Sequence, residues 1–397
     1  MTRKPVFACL LVLLFIHIPL VTYPQVSDPG ILLEHYLENG DIESMEMIKE
    51  QFPESSYHHF CDSYNLLHID NNKAQELAES LIRDYPDFAL GYFALGTIYA
   101  SGLRQYSTAL IQFNKSIDLD PQFSLSWLNR GITKMELKDF QGAREDFNQA
   151  IKLKRGYALG YILRGVANYR LGQTDAMLAD LEIGLQLDFK ALANVLDISE
   201  DAVSKAIEMA PENANYYFSR GYAHFTEQNY RPALADFTKA VNTVSGSSEF
   251  LKYAGATKVY LEDAAGAKTD LNHALGINPD DPEIYYYLGM LMNDIEEQPS
   301  RAFEYFSLAI EQEDTNPLYF YQRSKSSYNL MDYQSARDDI NMALYLDHHS
   351  GDCYALRGQI KMKMGNPAAD YCYDFKRALE WGTTYNLKRI IKKSCQE

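Results

Sequence analysis

The sequence is short of positive charge and of recognisable catalytic motifs. It has 37 lysines and arginines against 54 aspartates and glutamates, a formal net charge of −17, with no run of basic residues that forms an obvious patch. A chain of this charge repels phosphate backbones, so we expect no binding of nucleic acid. A glycine-rich phosphate loop, a nucleophile elbow and an HExxH or comparable ligand pair are also missing. These absences predict a protein without catalytic, cofactor-binding or metal-binding residues.

The amino terminus has the features of a secretory signal. Thr2-Arg3-Lys4 is basic, and the apolar stretch from Val6 to Val21 is shorter than the ~20 residues that span a bilayer as a helix. We therefore expect a signal peptide over residues 1–24, cleaved between Thr22 and Gln25. The mature protein would then be periplasmic or extracellular, with no membrane insertion after cleavage. The alternative is an uncleaved segment that anchors the protein to a membrane.

A period of 34 residues runs through most of the chain. A small anchor residue recurs at intervals of 35, 34, 56, 34, 34, 35 and 34 residues. The anchors are Gly96, Gly131, Gly165, Gly221, Gly255, Gly289, Ser324 and Gly358. The longest interval exceeds the usual one by 22 residues, so we expect an extra helical half-unit over residues 190–213.

Each unit has the pattern of two helices. Tyr217, Gly221 and His224 lie at helical spacing on a first helix, and Ala233 and Phe237 share a face of a second. A proline stands ten residues before four of the anchors, where it ends the preceding helix. We expect small residues at the anchor because two helix backbones approach closely there.

This series of aromatic residue, glycine, alanine, aromatic residue, alanine and proline resembles the tetratricopeptide repeat family. The resemblance implies an all-α fold, a right-handed α-solenoid of helix–turn–helix repeats with a C-terminal capping helix. The corresponding segments are a signal peptide (1–24), degenerate repeat-like hairpins (28–87), repeats (89–189), the half-unit (190–213), further repeats (214–383) and the capping helix (384–397).

Arginine and aspartate recur together at a fixed distance. In five units an arginine directly precedes the anchor, and an aspartate follows it by 16 residues, or by 17 in the last unit. Such residues lie at similar height in an antiparallel helix pair, so we predict a two-pronged ion pair that bridges the two helices. A row of ligand-binding arginines is the alternative. The predicted pairs are Arg130–Asp146, Arg164–Asp180, Arg220–Asp236, Arg323–Asp339 and Arg357–Asp374.

In the family, the first helices of successive repeats line the concave face, which usually holds the partner. Residues three before, one after and four after each anchor are therefore candidates for contact with a protein or peptide. On this basis, replacing Phe218 and Tyr222 by serine should abolish partner capture without loss of helicity. The alternative is that much of this stripe packs between neighbouring helices. The candidate groove residues are Phe93, Leu128, Ile162, Tyr169, Phe218, Tyr222, Phe225, Tyr286, Tyr321 and Tyr328.

A different binding mode of the family is disfavoured. Its chaperone-binding members clamp a terminal carboxylate with a lysine three before the anchor and an asparagine just after it. Only Lys252 matches this pattern, and Ala256 stands where asparagine is needed.

The carboxyl-terminal segment predicts a capping helix from Tyr385 to Cys395. Its four basic residues would then lie toward the carboxyl end, where the helix dipole favours cations. Cys372 begins one helix and Cys395 ends the next, antiparallel one, so a disulfide is expected between them in an exported protein. Two free thiols are the alternative.

A repeat without a chemical motif favours a non-enzymatic scaffold or adaptor that binds a protein or peptide on the concave face. Two other functions remain open. One is a structural spacer or self-associating rod in an envelope complex, and the other is a periplasmic chaperone-like holdase.

Overall fold

A computed structural model describes residues 55–395 together with Leu33 and Leu37. These residues form α-helices with two π-helical turns and one 3-10 segment, and there is no strand among them. The predicted all-α fold class is therefore confirmed. The predicted signal peptide lies outside the described residues, as does most of the first degenerate hairpin. No helix in the described part of the chain is both long and apolar enough to span a bilayer.

The chain divides into two compact units, Met1–Gln228 and Asn229–Glu397. In the first unit, helices joined by short turns form hairpins, and each second helix also packs against the first helix of the next hairpin. Its helices are α1 (Ser56–Asn65), α2 (Asn71–Asp84), α3 (Ala89–Thr97), α4 (Tyr106–Leu119), α5 (Ser124–Glu136), α6 (Phe140–Leu153), α7 (Ala158–Arg170), α8 (Thr174–Leu187), α9 (Leu196–Met209) and α10 (Ala214–Thr226). The 3-10 segment Phe189–Val195 and α9 form the extra half-unit between α8 and α10.

The second unit repeats the same arrangement of stacked hairpins. Its helices are α11 (Tyr230–Thr243), α12 (Ser248–Tyr260), α13 (Ala264–Ile277), α14 (Pro282–Met290), α15 (Pro299–Gln312), α16 (Pro317–Asn329), α17 (Tyr333–Leu346), α18 (Gly351–Lys363), α19 (Ala368–Glu380) and α20 (Lys388–Ser394). Helix α20 is shorter than the capping helix predicted over Tyr385 to Cys395, since it begins only at Lys388.

The turn inside several of the hairpins is set by two local signals. An aspartate such as Asp139 or Asp263 precedes the second helix and accepts a hydrogen bond of 3.0 Å from the backbone N–H three residues later. The residue before it adopts a positive φ, 63° at Lys138 and 60° at Glu262, although neither is glycine. The aspartate and the reversed backbone together end one helix and begin the next.

The two intervals of 35 residues have a structural cause. Helices α3 and α14 each continue into a π-helical turn, Ile98–Gly102 and Leu291–Ile295, which the other first helices lack. A π-turn accommodates one additional residue inside a helix. The additional residue is therefore accommodated in a wider helical turn. The packing of the next hairpin is unchanged.

Several of the anchor glycines make room for an aromatic ring on the second helix. A Cβ atom at Gly131 would lie 2.5 Å from the ring of Phe147, and one at Gly289 would lie 2.5 Å from that of Phe306. At these two anchors the close approach is between a helix backbone and a ring, whereas at Gly165 and Gly255 a backbone atom of the second helix lies within 3.3 Å of an added Cβ. Any side chain at Gly131 or Gly289 would displace the ring that it meets.

Candidate functional site

The predicted arginine–aspartate pairs form a series of ion pairs, each joining the two helices of one hairpin, and we call this series the ladder. Arg130 donates from Nε and Nη2 to the two carboxylate oxygens of Asp146, at 2.9 and 2.7 Å. The same two-pronged geometry joins Arg164 to Asp180, Arg323 to Asp339 and Arg357 to Asp374. The residues of the fifth pair, Arg220 and Asp236, belong to different units, and that pair stays a prediction.

Each of these arginines also bonds to the preceding hairpin, which the sequence analysis missed. The third nitrogen, Nη1 of Arg130, donates to Asn114 Oδ1 on α4 at 2.7 Å. The residue 16 before the arginine is asparagine or serine in all five units, and this period could have revealed the contact. The acceptors are Asn114, Asn148, Ser204, Ser307 and Asn341. All of these arginines except Arg220 are thus shown with acceptors on both sides, an arrangement that joins neighbouring hairpins.

A second cation reaches the same aspartates from three residues after the anchor. Lys361 lies 2.7 Å from Asp374, and Lys134 lies 2.8 Å from Asp146. In the unit that has Ala254 in place of arginine, Lys258 alone pairs with Asp270, at 2.6 Å. In these ion pairs the aspartate is always present, whereas its cationic partner is an arginine, a lysine or both.

Half of the candidate groove residues are not on an accessible surface, which corrects their assignment to a binding groove. Phe93, Leu128, Ile162, Phe218 and Tyr222 are all buried, with exposed fractions between 0% and 7%. The first helix of each stacked hairpin packs against other helices on two of its faces. An apolar stripe on such a helix can therefore be buried entirely between neighbouring helices. Phe93, Leu128 and Ile162 belong to the hydrophobic core of the first unit.

The extra half-unit explains the burial of two of them. The ring of Phe189 lies 4.8 Å from that of Phe218 and 5.4 Å from that of Tyr222, measured between centroids. Lys190 Nζ lies 5.8 Å from the centroid of the Tyr222 ring. The 3-10 segment thus covers this part of α10. Serine at Phe218 and Tyr222 would damage this packing, so that substitution does not test partner capture.

The other candidates, Tyr169, Phe225, Tyr286, Tyr321 and Tyr328, are partly exposed. In the second unit, Tyr286 lies on α14, and Tyr321 and Tyr328 lie on the next first helix, α16. Burial raises the pKa values of Tyr286 and Tyr321 above the ordinary tyrosine value. The hydroxyl of Tyr321 is 3.0 Å from that of Tyr385, which precedes α20.

Lys252 cannot receive a terminal carboxylate because three acidic residues of the chain already surround it. Its Nζ lies 2.6 Å from Glu283, 2.9 Å from Asp281 and 3.6 Å from Glu249, and the residue is 3% exposed. Burial alone lowers the pKa of Lys252, but the carboxylates of Glu283, Glu249 and Asp281 raise it above its ordinary value. The cluster is saturated and has an excess of negative charge.

At the carboxyl terminus, the structure joins Cys372 and Cys395 by a disulfide, with 5.6 Å between the Cα atoms. This bond ties the end of α20 to α19. Cys61 and Cys353 are buried and not in a disulfide. Among the described residues, no group of three or more histidine, cysteine, aspartate or glutamate side chains is placed to hold a metal ion.

Comparison with known proteins agrees with the repeat pattern. A family model described as tetratricopeptide repeat matches residues 125–157, which span α5 and α6. No curated protein matches the chain.

Three solved structures illustrate the likeness. One is the hetero-tetramer of Cut9 and Hcn1 from the APC/C, at 11% identity over 93% of this chain and 95% of that one, with a TM-score of 0.49. Another is a tetratricopeptide repeat protein from Parabacteroides merdae, at 18% identity over 68% and 96%, with a TM-score of 0.43. Yeast Tom70 is 14% identical over 92% and 93%, with a TM-score of 0.43.

Proposed function

We propose that the chain, an all-α repeat protein whose residues 125–157 match a tetratricopeptide-repeat model, is a non-enzymatic scaffold that binds a protein or peptide segment on its second unit. The binding surface is the first-helix face, defined by Tyr286 on α14 and by Tyr321, Lys325 and Tyr328 on α16. The observation that carries the proposal is that these tyrosines are partly exposed, whereas half of the candidate residues are buried.

The tyrosines of the first-helix face are suited to contact with a partner. Their rings are held by neighbours: Tyr286 lies 5.5 Å from Tyr319, and Tyr328 lies 5.6 Å from Tyr333, between centroids. A ring that is already fixed loses little conformational entropy on binding and still offers an apolar face and a hydroxyl. Such side chains are common among the residues that dominate binding energy.

The charges near this face favour an internal segment over a chain end. The one lysine at the position of the family's carboxylate clamp, Lys252, is enclosed by acidic residues. Lys325 is paired with Asp294 at 3.0 Å, so it is also occupied. A terminal carboxylate would therefore meet no available cation at these two positions and would be repelled by the excess of negative charge.

The test is site-specific photo-crosslinking in the native cells. A photo-reactive phenylalanine analogue at Tyr286 or Tyr328 should yield the same crosslinked protein, identified by mass spectrometry. The control positions are Tyr345 on α17 and Tyr373 on α19, which are 81% and 56% exposed but lie on second helices. Equal crosslinking from the control positions contradicts the proposal, and crosslinks only to other copies of the chain indicate a self-associating rod instead.

We also propose that the protein is exported to the periplasm or the extracellular space. The basic and apolar amino terminus supports this, and so does the pairing of Cys372 with Cys395, since disulfides persist in oxidising compartments. Sequencing of the mature amino terminus from fractionated cells tests it, with a start near Thr22 to Gln25 expected. An intact Met1 in the cytoplasmic fraction contradicts export, and an intact Met1 in the membrane fraction indicates an uncleaved anchor.

A further inference from the structure

The short helix α20 presents an unpaired cationic surface. Lys388, Arg389, Lys392 and Lys393 are all exposed, and none of them forms an ion pair with a described residue. Positions separated by one, four and five residues lie on one side of a helix. The opposite side is apolar and packed: Leu387 is 1% exposed. The fold thus gathers a basic patch that the sequence analysis did not recognise.

This arrangement is electrostatically unfavourable for the isolated helix. Helix α20 begins at Lys388, so Lys388 and Arg389 lie at the positive end of the helix dipole, where cations destabilise. No acidic residue lies in the first turn. Lys388 and Lys392, and likewise Arg389 and Lys393, are like-charge pairs four residues apart, which also destabilise a helix. Local conflicts of this kind are expected at functional sites.

The patch is nevertheless held in place from three sides. Cys395, directly after the helix, is bonded to Cys372 on α19. Before the helix, Leu387 is buried and the hydroxyl of Tyr385 meets that of Tyr321 at 3.0 Å. A helix of this length is not stable alone in water, so these contacts preserve its shape. The cations are therefore arranged before any partner arrives, which lowers the entropic cost of binding.

We propose that the cationic face of α20, formed by Lys388, Arg389, Lys392 and Lys393, docks an acidic polypeptide segment of a partner protein. Such a segment would neutralise the like-charge pairs and is short enough to contact this helix alone. A nucleic acid or an anionic membrane is an extended polyanion, and it would also meet the rest of a chain whose net charge is −17. This docking surface shares no residue with the first-helix face, although Tyr321 of that face contacts Tyr385 next to α20. Substitutions of the four basic residues leave the tyrosines of the first-helix face in place, so each surface can be tested alone.

The experiment measures the affinity of the full chain for a labelled peptide of alternating glutamate and serine by fluorescence anisotropy at low ionic strength. The test variant carries Lys388→Gln, Arg389→Gln, Lys392→Gln and Lys393→Gln, and we expect its Kd to rise about tenfold. The control variant loses the same charge elsewhere in the second unit and should stay within about twofold of the parent. Its substitutions, all at exposed positions, are Arg231→Gln, Lys239→Gln, Lys363→Gln and Lys376→Gln.

Two results overturn the proposal. One is an equal loss of affinity in the test and control variants, which assigns the binding to net charge. The other is peptide affinity unchanged in the test variant while binding to phosphatidylglycerol vesicles or duplex DNA is lost, which assigns the patch to a different polyanion. Circular dichroism of both variants establishes that they remain helical, so that lost binding reports on charge.

Discussion

Removing the charge of Asp374 should weaken the last hairpin more than removal of any exposed acid nearby. Asp374 is 0% exposed and accepts hydrogen bonds from Arg357 Nε and Nη2 at 3.1 and 2.7 Å. Lys361 adds a third contact at 2.7 Å. Asparagine keeps the shape of the side chain but leaves two cations close together without their anion.

The cost can be bounded from the burial of the partners. Breaking a fully buried ion pair by removing one member costs about 3–5 kcal/mol. The side chains of Arg357 and Lys361 are 19% and 22% exposed, so water screens part of the remaining charge. We therefore expect Asp374→Asn to lower the local stability of the α18–α19 hairpin by about 2–3 kcal/mol.

Hydrogen exchange measured by mass spectrometry reports local opening of one hairpin in the full chain. Peptides from α18 and α19 should exchange about 30- to 150-fold faster in Asp374→Asn, since 1.4 kcal/mol is a factor of ten. The control is Asp370→Asn in the first turn of α19, an exposed position where the loss is at most about 1 kcal/mol. Equal rates in the two variants would refute the view that the ladder stabilises the hairpins.

Three further outcomes are expected. Gly289→Ala should lower the free energy of unfolding by about 1–3 kcal/mol because the added Cβ meets Phe306. Gly276→Ala has open space around the added Cβ and should raise the free energy of unfolding by about 0.5–1 kcal/mol. Thermal melts measure both changes. Burial raises the pKa of Cys353 to about 12, so iodoacetamide at neutral pH should leave this thiol unmodified in mass spectra of the folded protein. Phe189→Ala should cost about 2 kcal/mol and accelerate hydrogen exchange in α10; unchanged exchange contradicts its packing role.

The sequence could predict the hairpins because both helices repeat with the same period. The offset of 16 residues between Arg130 and Asp146 was readable for the same reason. The bond from Arg130 to Asn114 was equally periodic, but it joins two hairpins. Recognising it requires a comparison of successive repeats, because the pattern inside a single repeat does not show which helices become neighbours.

The candidate site was less predictable because an apolar stripe has two possible causes. Phe218 and Tyr321 both stand three residues before their anchors, yet one is buried and the other is partly exposed. At Phe218, one of the packing neighbours is Phe189, which belongs to the non-periodic half-unit. The four basic residues were expected toward the carboxyl end of a longer helix, but α20 begins at Lys388, so Lys388 and Arg389 lie at its amino end and the four form one cationic face.

Hydrogen exchange of the chain with and without its crosslinked partner tests the central claim most directly. If recognition occurs on the first-helix face, binding should slow exchange in peptides from α14 and α16, which carry Tyr286 and Tyr328. Peptides from the second helices α15 and α17 should be unchanged. Protection confined to α15 and α17 would contradict the account.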